Sequence, residues 1–173
     1  FIVRWPGKIK AGSTSDALFN LSDICKTAWD AAGIKPELDT ALDSISQLKV
    51  WLNPDGEPAQ TEMLQGGVFG MAFRSGDWVY LPRQGSSGMT TGDNDWFLSV
   101  NQIGLPNSDY DEEGKLKDDA PETQLYNLKK DPSQSRNVVN AFPEKAAALA
   151  ARYKEVHQAL QQRTVELERA EEQ

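Results

Sequence analysis

The apolar residues of this chain fall into runs whose spacing changes from segment to segment, and each spacing predicts an element. Residues 1–5 form a short, largely apolar run that stops at Pro6-Gly7, which is typical of a buried strand followed by a turn. From residue 21 to residue 34 the apolar positions recur every three or four residues, which predicts a helix. Ser22 is its expected N-cap and Gly33 its expected end. Its apolar stripe consists of Leu21, Ile24, Cys25, Ala28 and Ala32.

The middle of the chain carries the clearest β pattern. Residues 68–73 and 78–81 are rich in aromatic and β-branched residues and flank a Ser-Gly-Asp turn, which predicts a hairpin. Residues 124–128 form another predicted strand. The remaining segments are an ambiguous stretch at 38–52, a Gly- and Ser-rich loop at 84–94, a further strand candidate at 96–100 and an acidic loop at 107–121 that is expected to be exposed and mobile.

A long helix is predicted from Pro143, because proline followed by Glu144 favours a first helical turn. The order of elements predicts an α+β fold, in which a small antiparallel sheet is packed by the long C-terminal helix. The first predicted strand and helix are separated from the hairpin by a long stretch of chain, so they are not assigned to this sheet. Residues 166–173 are expected to fray or project. The apolar stripe of the long helix consists of Ala146, Leu149, Ala150, Tyr153, Val156 and Leu160.

Composition excludes some classes of partner. The 173 residues include 18 Lys and Arg against 26 Asp and Glu, which gives a formal net charge of −8. This charge argues against nucleic-acid binding and against docking on an anionic membrane surface, both of which need clustered cations. No apolar run approaches the roughly 18 residues of a transmembrane helix, and no signal peptide is visible. The single cysteine cannot form an internal disulfide.

Taken residue by residue, the chain holds no complete catalytic apparatus. Cys25 lies on an apolar stripe, which favours a buried structural thiol, and the only histidine, His157, lies far along the chain in the predicted long helix. Residues 109–114 resemble the first half of a calcium loop, but Ala120 stands where the bidentate Glu belongs, so a solvated charge run is favoured. The Gly- and Ser-rich residues 85–88 lack the Lys and the following helix of a phosphate loop.

One cluster of side chains has two interpretations. Arg74, Trp78, Tyr80 and Arg83 lie in or next to the predicted hairpin. Aromatic and Arg side chains could build a platform for a sugar or an anion. The interpretation that we favour is a sheet core with exposed arginines.

Several segments, taken in order, match the pattern of one known family. They include a strand that ends in Trp-Pro-Gly, a helix with Asp, Thr and then Ala-Gly-Ile, an Arg-x-Gly-x-Trp hairpin, and a Leu-Tyr-Asn-Leu-x-x-Asp-Pro ending with a later Asn. In this chain they are residues 1–12, 21–34, 73–78, 124–132, Asn137 and 142–144. Together they resemble the C-terminal region of the sulfatase family, the formylglycine-dependent sulfuric ester hydrolases.

The resemblance implies an enzyme with an alkaline-phosphatase-like α/β catalytic domain, of which residues 1–52 supply the last strand and helix. Residues 53–173 would be its smaller C-terminal domain. The family attacks sulfur with a formylglycine hydrate and uses calcium, but Cys25 is followed by Lys-Thr-Ala-Trp and does not match the formylglycine motif. The nucleophile and the calcium ligands are therefore expected upstream, and this chain alone is expected to hold no cofactor and to be inactive.

The resemblance also implies partners and a location. The partners would be the missing N-terminal catalytic portion and a sulfated small molecule or carbohydrate, and the location would be the periplasm or the exterior of the cell. Residues 1–5 are expected to lack neighbouring strands or to find them in a partner chain. The candidates for one wall of the substrate cleft are Gln65, Arg74, Trp78, Arg83 and Ser86.

The chain departs from the family pattern in two places, and alternatives stay open. Val79 follows the hairpin Trp where the family often has Lys, and residues 64–67 stand where related members carry histidines.

One alternative function is the C-terminal part of a phosphodiesterase or phosphonate hydrolase of the same superfamily. The other is a non-catalytic interaction module that uses the acidic residues 165–173.

Overall fold

A computed structural model describes residues 1–36, 41–67, 70–84 and 107–171. The chain forms two compact units, Phe1–Met63 and Leu64–Gln173. The predicted strand at 96–100 and all but the first residue of the predicted loop at 84–94 lie outside the described residues. The elements are the helices α1 (Asp23–Ala32) and α2 (Leu48–Leu52), the strands β1 (Glu62–Gly67), β2 (Gly70–Ser75), β3 (Trp78–Leu81) and β4 (Gln124–Asn127), a 3-10 turn at Val139–Ala141 and helix α3 (Pro143–Glu171).

The four strands form one sheet in the order β1-β2-β3-β4. Strand β2 pairs antiparallel with β3, and β3 pairs antiparallel with β4. The predicted hairpin is confirmed as β2 and β3. Gly76 occupies its turn with a φ of 56°, a left-handed conformation that glycine adopts without strain. The α+β prediction is therefore confirmed for a small antiparallel sheet with helices.

Alternation along the strands gives the sheet two different faces. The helix face contacts α3, and its core consists of Phe73, Tyr80, Leu125, Val139, Ala146 and Leu149. The opposite face carries a second cluster of Val79, Leu81 and Tyr126, with Ala72 and Leu128 packed against it. Phe73, Leu125 and Tyr126 are fully buried, so strand β4 is held from both sides and strand β2 is anchored on the helix face by Phe73.

Helix α3 begins at Pro143, as predicted. Ala146 and Leu149 are buried in the core of the helix face, and Ala150, Tyr153 and Val156 pack against that core. The apolar stripe expected from the sequence is thus the stripe that meets the sheet. The helix continues to Glu171.

In the first unit, residues that the sequence predicts to be buried are exposed. Residues 1–5 form no strand, and Phe1 and Ile2 are 69% and 94% exposed, so the prediction of a buried strand is wrong for this chain. The ring of Phe1 packs on those of Phe19 and Trp51, with centroids 4.6 Å and 5.7 Å away.

Helix α1 begins and ends where the sequence indicates, but its buried side is the polar one. Gly33 caps it in a left-handed conformation with a φ of 69°. The buried side chains of the helix are those of Asp23 and Thr27. Cys25 is exposed, so the prediction of a buried thiol is wrong. Amphipathic spacing shows which side chains share a face, but it does not show what that face meets.

Two further features differ from the expectations. Strand β1, with the sequence Glu-Met-Leu-Gln-Gly-Gly, was not predicted because it has no β-branched or aromatic residue. The acidic loop at 107–121 is not simply exposed: Asn107, Asp109 and Tyr110 are buried, and Tyr110 forms a bridge with Leu116. Buried hydrogen-bond partners hold this loop, as described below.

Candidate functional site

The register of the sheet separates the residues proposed for the cleft wall. Arg74 is paired with Val79 and lies on the opposite face, whereas Trp78 packs against the core of the helix face. Leu64 also packs against that core, so alternation places its neighbour Gln65 on the opposite face, where it is exposed. The structure therefore brings Gln65 and Arg74 to the same face and places Trp78 on the other. Arg83 is exposed beyond the end of β3, and Ser86 lies outside the described residues.

The ring of Trp78 contacts other side chains of this chain. The ring of Phe142 meets it edge-on at a centroid distance of 5.3 Å. The ammonium of Lys145 stands 5.9 Å from the centroid of the Trp78 ring, a cation–π geometry. These contacts support the interpretation of Trp78 as part of the sheet core.

Arg74 is fixed by the hairpin that carries it. Its Nε donates a hydrogen bond of 3.0 Å to the carbonyl oxygen of Gly76 in the turn. This bond uses one of the five N–H donors of a guanidinium and orients the rest of the planar group. A guanidinium held in this way is suited to bind an oxyanion through two parallel hydrogen bonds.

A buried hydrogen-bond chain lies behind the opposite face. The hydroxyl of Tyr126 donates to Oε1 of Gln124 at 2.6 Å and accepts from Nδ2 of Asn107 at 2.8 Å. Gln124 donates onward to the carbonyl of Arg83, and Asn107 to that of Gln134. Burial raises the pKa of Tyr126 well above that of an ordinary tyrosine, so the phenol stays protonated and acts as a structural donor.

Asn137 joins strand β4 to the start of the acidic loop. Its Oδ1 accepts hydrogen bonds from the backbone N–H groups of Leu125 and Val139, at 3.0 Å and 3.1 Å. Its Nδ2 donates to Oδ2 of Asp109 at 2.8 Å and to the carbonyl of Thr123 at 3.1 Å. The side-chain amide thus uses both of its donors and both of its acceptor positions. Next to it, the N–H of Val138 donates to the carbonyl of Leu125 at 2.9 Å.

The carboxylate of Asp131 organises the turn that follows β4. Oδ2 accepts from the backbone N–H of Arg136 at 2.9 Å, and Oδ1 from the backbone N–H and hydroxyl of Ser135 at 3.0 Å and 2.9 Å and from the hydroxyl of Ser133 at 3.2 Å. Partial burial raises the pKa of Asp131, but these hydrogen bonds to the charged form outweigh it and leave the pKa below its usual value.

The carboxylates of the loop that resembles a calcium site are engaged in internal hydrogen bonds. Oδ2 of Asp109 accepts from Asn137, and Oδ1 of Asp111 accepts from the backbone N–H of Lys115 at 2.8 Å. The N–H of Lys117 donates to the carbonyl of Asp109, which closes a small antiparallel turn around Gly114. Among the described residues no three His, Cys, Asp or Glu side chains are grouped as metal ligands. The carboxylates of Asp109 and Asp111 thus stabilise the fold of the loop itself.

In the first unit, a buried carboxylate holds the polar side of α1. Asp23 is 1% exposed, and its Oδ2 accepts from the backbone N–H of Asn20 and from the amides of Gln47 and Gln60 at 2.9–3.1 Å. Its Oδ1 accepts from the N–H of Ile45 at 2.9 Å. Four neutral donors thus surround the side chain of Asp23, which ties α1 to the segments after it.

Neither of the two nucleophile candidates has a catalytic environment. Cys25 is exposed on α1. The ring of His157 stacks on that of Tyr153 along α3, with a centroid distance of 5.5 Å and an interplanar angle of 10°.

We expect Asn137→Asp to destabilise the second unit by about 2–4 kcal/mol, because an oxyanion would then face Oδ2 of Asp109 and the carbonyl of Thr123. Urea unfolding at pH 7 measures the change. The exposed Asn140→Asp is the matched control and should stay within about 0.5 kcal/mol. Equal effects of the two variants would show that the Asn137 bonds do not stabilise the unit.

The lowered pKa of Asp131 predicts an acid-dependent contribution to stability. A carboxylate whose folded pKa is depressed stabilises the fold above its unfolded pKa of about 4, and this contribution is lost as the pH falls through the folded value. The destabilisation caused by Asp131→Asn should therefore be largest above about pH 5 and shrink in more acid solution. Urea unfolding from pH 2 to pH 7 tests this, with the exposed Asp118→Asn as control. A difference that does not vary with pH would contradict the assignment.

Comparison with known proteins gives the fold and the site a context. No family model matches the chain. The chain is 30% identical over 146 residues to the N-acetylgalactosamine-6-O-sulfatase of Bacteroides thetaiotaomicron, which covers 83% of this chain and 24% of that protein. It is 26% identical over 151 residues to the ulvan-active sulfatase of Formosa agariphila, which covers 81% of this chain and 28% of that protein.

Solved structures agree with these matches. One solved structure comes from work on the metabolism of multiple glycosaminoglycans by Bacteroides thetaiotaomicron. It superposes on this chain with a TM-score of 0.64 at 25% sequence identity, and the match covers 90% of this chain and 28% of that chain. A structure in complex with its substrate D-glucosamine-2-N,6-O-disulfate shares the fold, with a TM-score of 0.57 at 20% identity, over 91% of this chain and 27% of that one. The chain spans about a quarter of the length of the curated relatives that it matches. It is therefore a homologue of sulfatases, and its partial coverage of each relative is consistent with a C-terminal sulfatase region.

Proposed function

We propose that this chain forms the C-terminal part of a sulfatase that hydrolyses sulfate esters of carbohydrates. The observation that carries the proposal is the similarity to two curated sulfatases over more than four fifths of this chain. One of these is named for N-acetylgalactosamine-6-O-sulfate and the other for ulvan, and a protein of similar fold binds D-glucosamine-2-N,6-O-disulfate as its substrate. The substrate class that these names share is a sulfated sugar.

The proposal assigns the chemistry to the polypeptide upstream of Phe1. Calcium and formylglycine, which the family resemblance implies, would both be held there. Two observations support this division: the carboxylates of Asp109 and Asp111 accept internal hydrogen bonds, and the residues that follow Cys25 do not match the formylglycine motif. Residues 1–52 would then complete an alkaline-phosphatase-like domain, and the rest would form the small domain.

The part of the substrate cleft contributed by this chain would be the opposite face of the sheet. Gln65 and Arg74 share that face, and the turn orients the guanidinium of Arg74. A sulfate group or a sugar hydroxyl can accept hydrogen bonds from an arginine and from an amide on the same face. Arg83, beyond the end of β3, would extend this wall, whereas Trp78 would support it from the helix face.

The proposed location is the periplasm or the exterior of the cell, on the family resemblance alone. In the part of the chain that the structure describes, no helix is both long enough and apolar enough to cross a membrane.

Sulfate release tests whether the catalytic residues lie in the upstream polypeptide. We expect the full-length product of the gene to release sulfate from 6-O-sulfated N-acetylgalactosamine or glucosamine, measured by ion chromatography. The 173-residue chain alone should release none. Turnover by the isolated chain would overturn the assignment of the nucleophile to the upstream part. If the full-length product left all sulfated sugars intact, the sulfatase proposal itself would be wrong.

In the full-length product, we expect Arg74→Ala to raise KM about tenfold with little change in kcat, because a contact to substrate outside the reacting centre contributes uniform binding. Arg152→Ala is the matched control. Arg152 lies on α3 in an exposed ion pair with Glu155, and such pairs contribute little. Thermal unfolding of both variants would show whether the loss of the Gly76 hydrogen bond alone explains the effect. An unchanged KM would remove Arg74 from the cleft wall.

A further inference from the structure

Arg83 lies just beyond the last backbone pair of strands β3 and β4. That ladder ends where Leu81 pairs with Gln124, and it is followed by Pro82, which has no N–H to donate. The side chain of Gln124 extends past this pair, and its Nε2 donates to the carbonyl oxygen of Arg83 at 3.1 Å. A buried side chain thus holds the backbone of Arg83, although the side chain of Arg83 is exposed.

Gln124 is itself held by a chain of hydrogen bonds that begins at Asn107. Nδ2 of Asn107 donates to the hydroxyl of Tyr126, and this hydroxyl donates to Oε1 of Gln124. Every donor in the chain points toward Arg83, so each bond polarises the next one. The side chains of Asn107, Gln124 and Tyr126 are all buried, so water does not compete with the bonds between them.

The hydrogen-bond chain connects two positions that are far apart in the sequence. Residues 85–106 join Gln84 to Asn107, so the bonds from Asn107 to Arg83 link the backbone on both sides of that segment. A second contact acts at the same place, because Nε2 of Gln84 donates to the carbonyl oxygen of Ala120. Side-chain hydrogen bonds therefore fix the polypeptide at residues 83–84, where the ladder of the sheet has ended.

The polar character of this chain favours a positioning role over a purely stabilising one. Burial of amide and hydroxyl groups costs free energy that their hydrogen bonds do little more than offset. The cluster of Val79 and Leu81 shows that hydrocarbon side chains also pack on this face of the sheet. What a fully satisfied polar network adds is a single geometry, which apolar packing specifies less strictly.

We propose that Gln124 and Tyr126 are positioning residues that hold Arg83 in place at the wall of the substrate cleft. This inference rests on the proposed function, which assigns Arg83 to that wall. A guanidinium presents its donors in a fixed plane, so a shift of the backbone that carries it turns the donors away from a sulfate oxygen or a sugar hydroxyl. Loss of the Tyr126 hydroxyl would therefore weaken substrate binding through Arg83 and leave the reacting bond untouched.

Trypsin reports on the position of Arg83 in the absence of substrate. It cleaves after Arg83 when the backbone there leaves its place, and after Lys145, next to the buried Ala146, when α3 leaves the sheet. In the 173-residue chain, Tyr126→Phe should raise the initial rate of cleavage after Arg83 by on the order of tenfold and the rate after Lys145 much less. Mass spectrometry of the fragments measures both rates.

Two further variants control this measurement. Gln124→Met removes the donor to the carbonyl of Arg83 at a similar side-chain length, so it should also raise cleavage after Arg83 selectively. The ring of Tyr153 packs against the core of the helix face, so Tyr153→Phe removes a hydroxyl away from the hydrogen-bond chain and should change neither rate.

Kinetics of the full-length product test the link to the substrate. Arg83→Ala should raise KM for a 6-O-sulfated amino sugar about tenfold with little change in kcat, because it removes a contact outside the reacting centre. Tyr126→Phe should raise KM about threefold or more, again with little change in kcat. The double variant should have the KM of Arg83→Ala alone, because Tyr126 acts through a side chain that is then absent.

Three outcomes would overturn the inference. The first is an equal rise of cleavage after Arg83 and after Lys145 in Tyr126→Phe, which would assign the hydroxyl to stability alone. The second is a double variant whose rise in KM is the product of the two single rises. The third is an unchanged KM in either single variant. If the full-length product turned over no sulfated sugar, the sulfatase proposal would fail, whereas proteolysis would still decide whether Gln124 and Tyr126 position Arg83.

Discussion

The side-chain amide of Asn137 is the contact on which the arrangement of the second unit depends. It holds the backbone of β4 at Leu125, the start of the 3-10 turn at Val139 and the buried carboxylate of Asp109 in one set of four hydrogen bonds. Strand β4 in turn buries Leu125 on one face of the sheet and Tyr126 on the other. Because helix α3 begins two residues after the 3-10 turn, its position on the sheet follows from the same amide.

The sequence predicted those elements whose formation depends on the residue pattern of their own segment. The aromatic and β-branched hairpin, strand β4 and the stripe of α3 all meet this chain's own core, so pattern and structure agree. Strand β1 was missed because Glu-Met-Leu-Gln-Gly-Gly is a strand only through its neighbour β2. The burial of α1 was inverted for a different reason. A periodic stripe identifies the side that would be buried, but four hydrogen bonds to Asp23 turn the other side toward this unit.

The candidate site was predictable in its residue types but not in its geometry. Arg74 and Trp78 are only four positions apart, and the register of the hairpin sends them to opposite faces. Pairing register is a property of the folded sheet, so the sequence alone could not separate them. The buried chain of Asn107, Tyr126 and Gln124 left no periodic signal, because each residue reaches its partner through tertiary structure. The family pattern did include Asn137, although its four contacts became visible only in the structure.

The bonds around Leu125 also bear on aggregation. The backbone groups on the outer edge of a last strand are a template to which another polypeptide can add, and long open edges of this kind seed fibrils. On β4, the N–H of Leu125 is taken by the amide of Asn137 and its carbonyl by the N–H of Val138. Residues that belong to no described strand thus occupy the backbone groups at the middle of this edge, so another polypeptide would have to displace them to add a strand at Leu125.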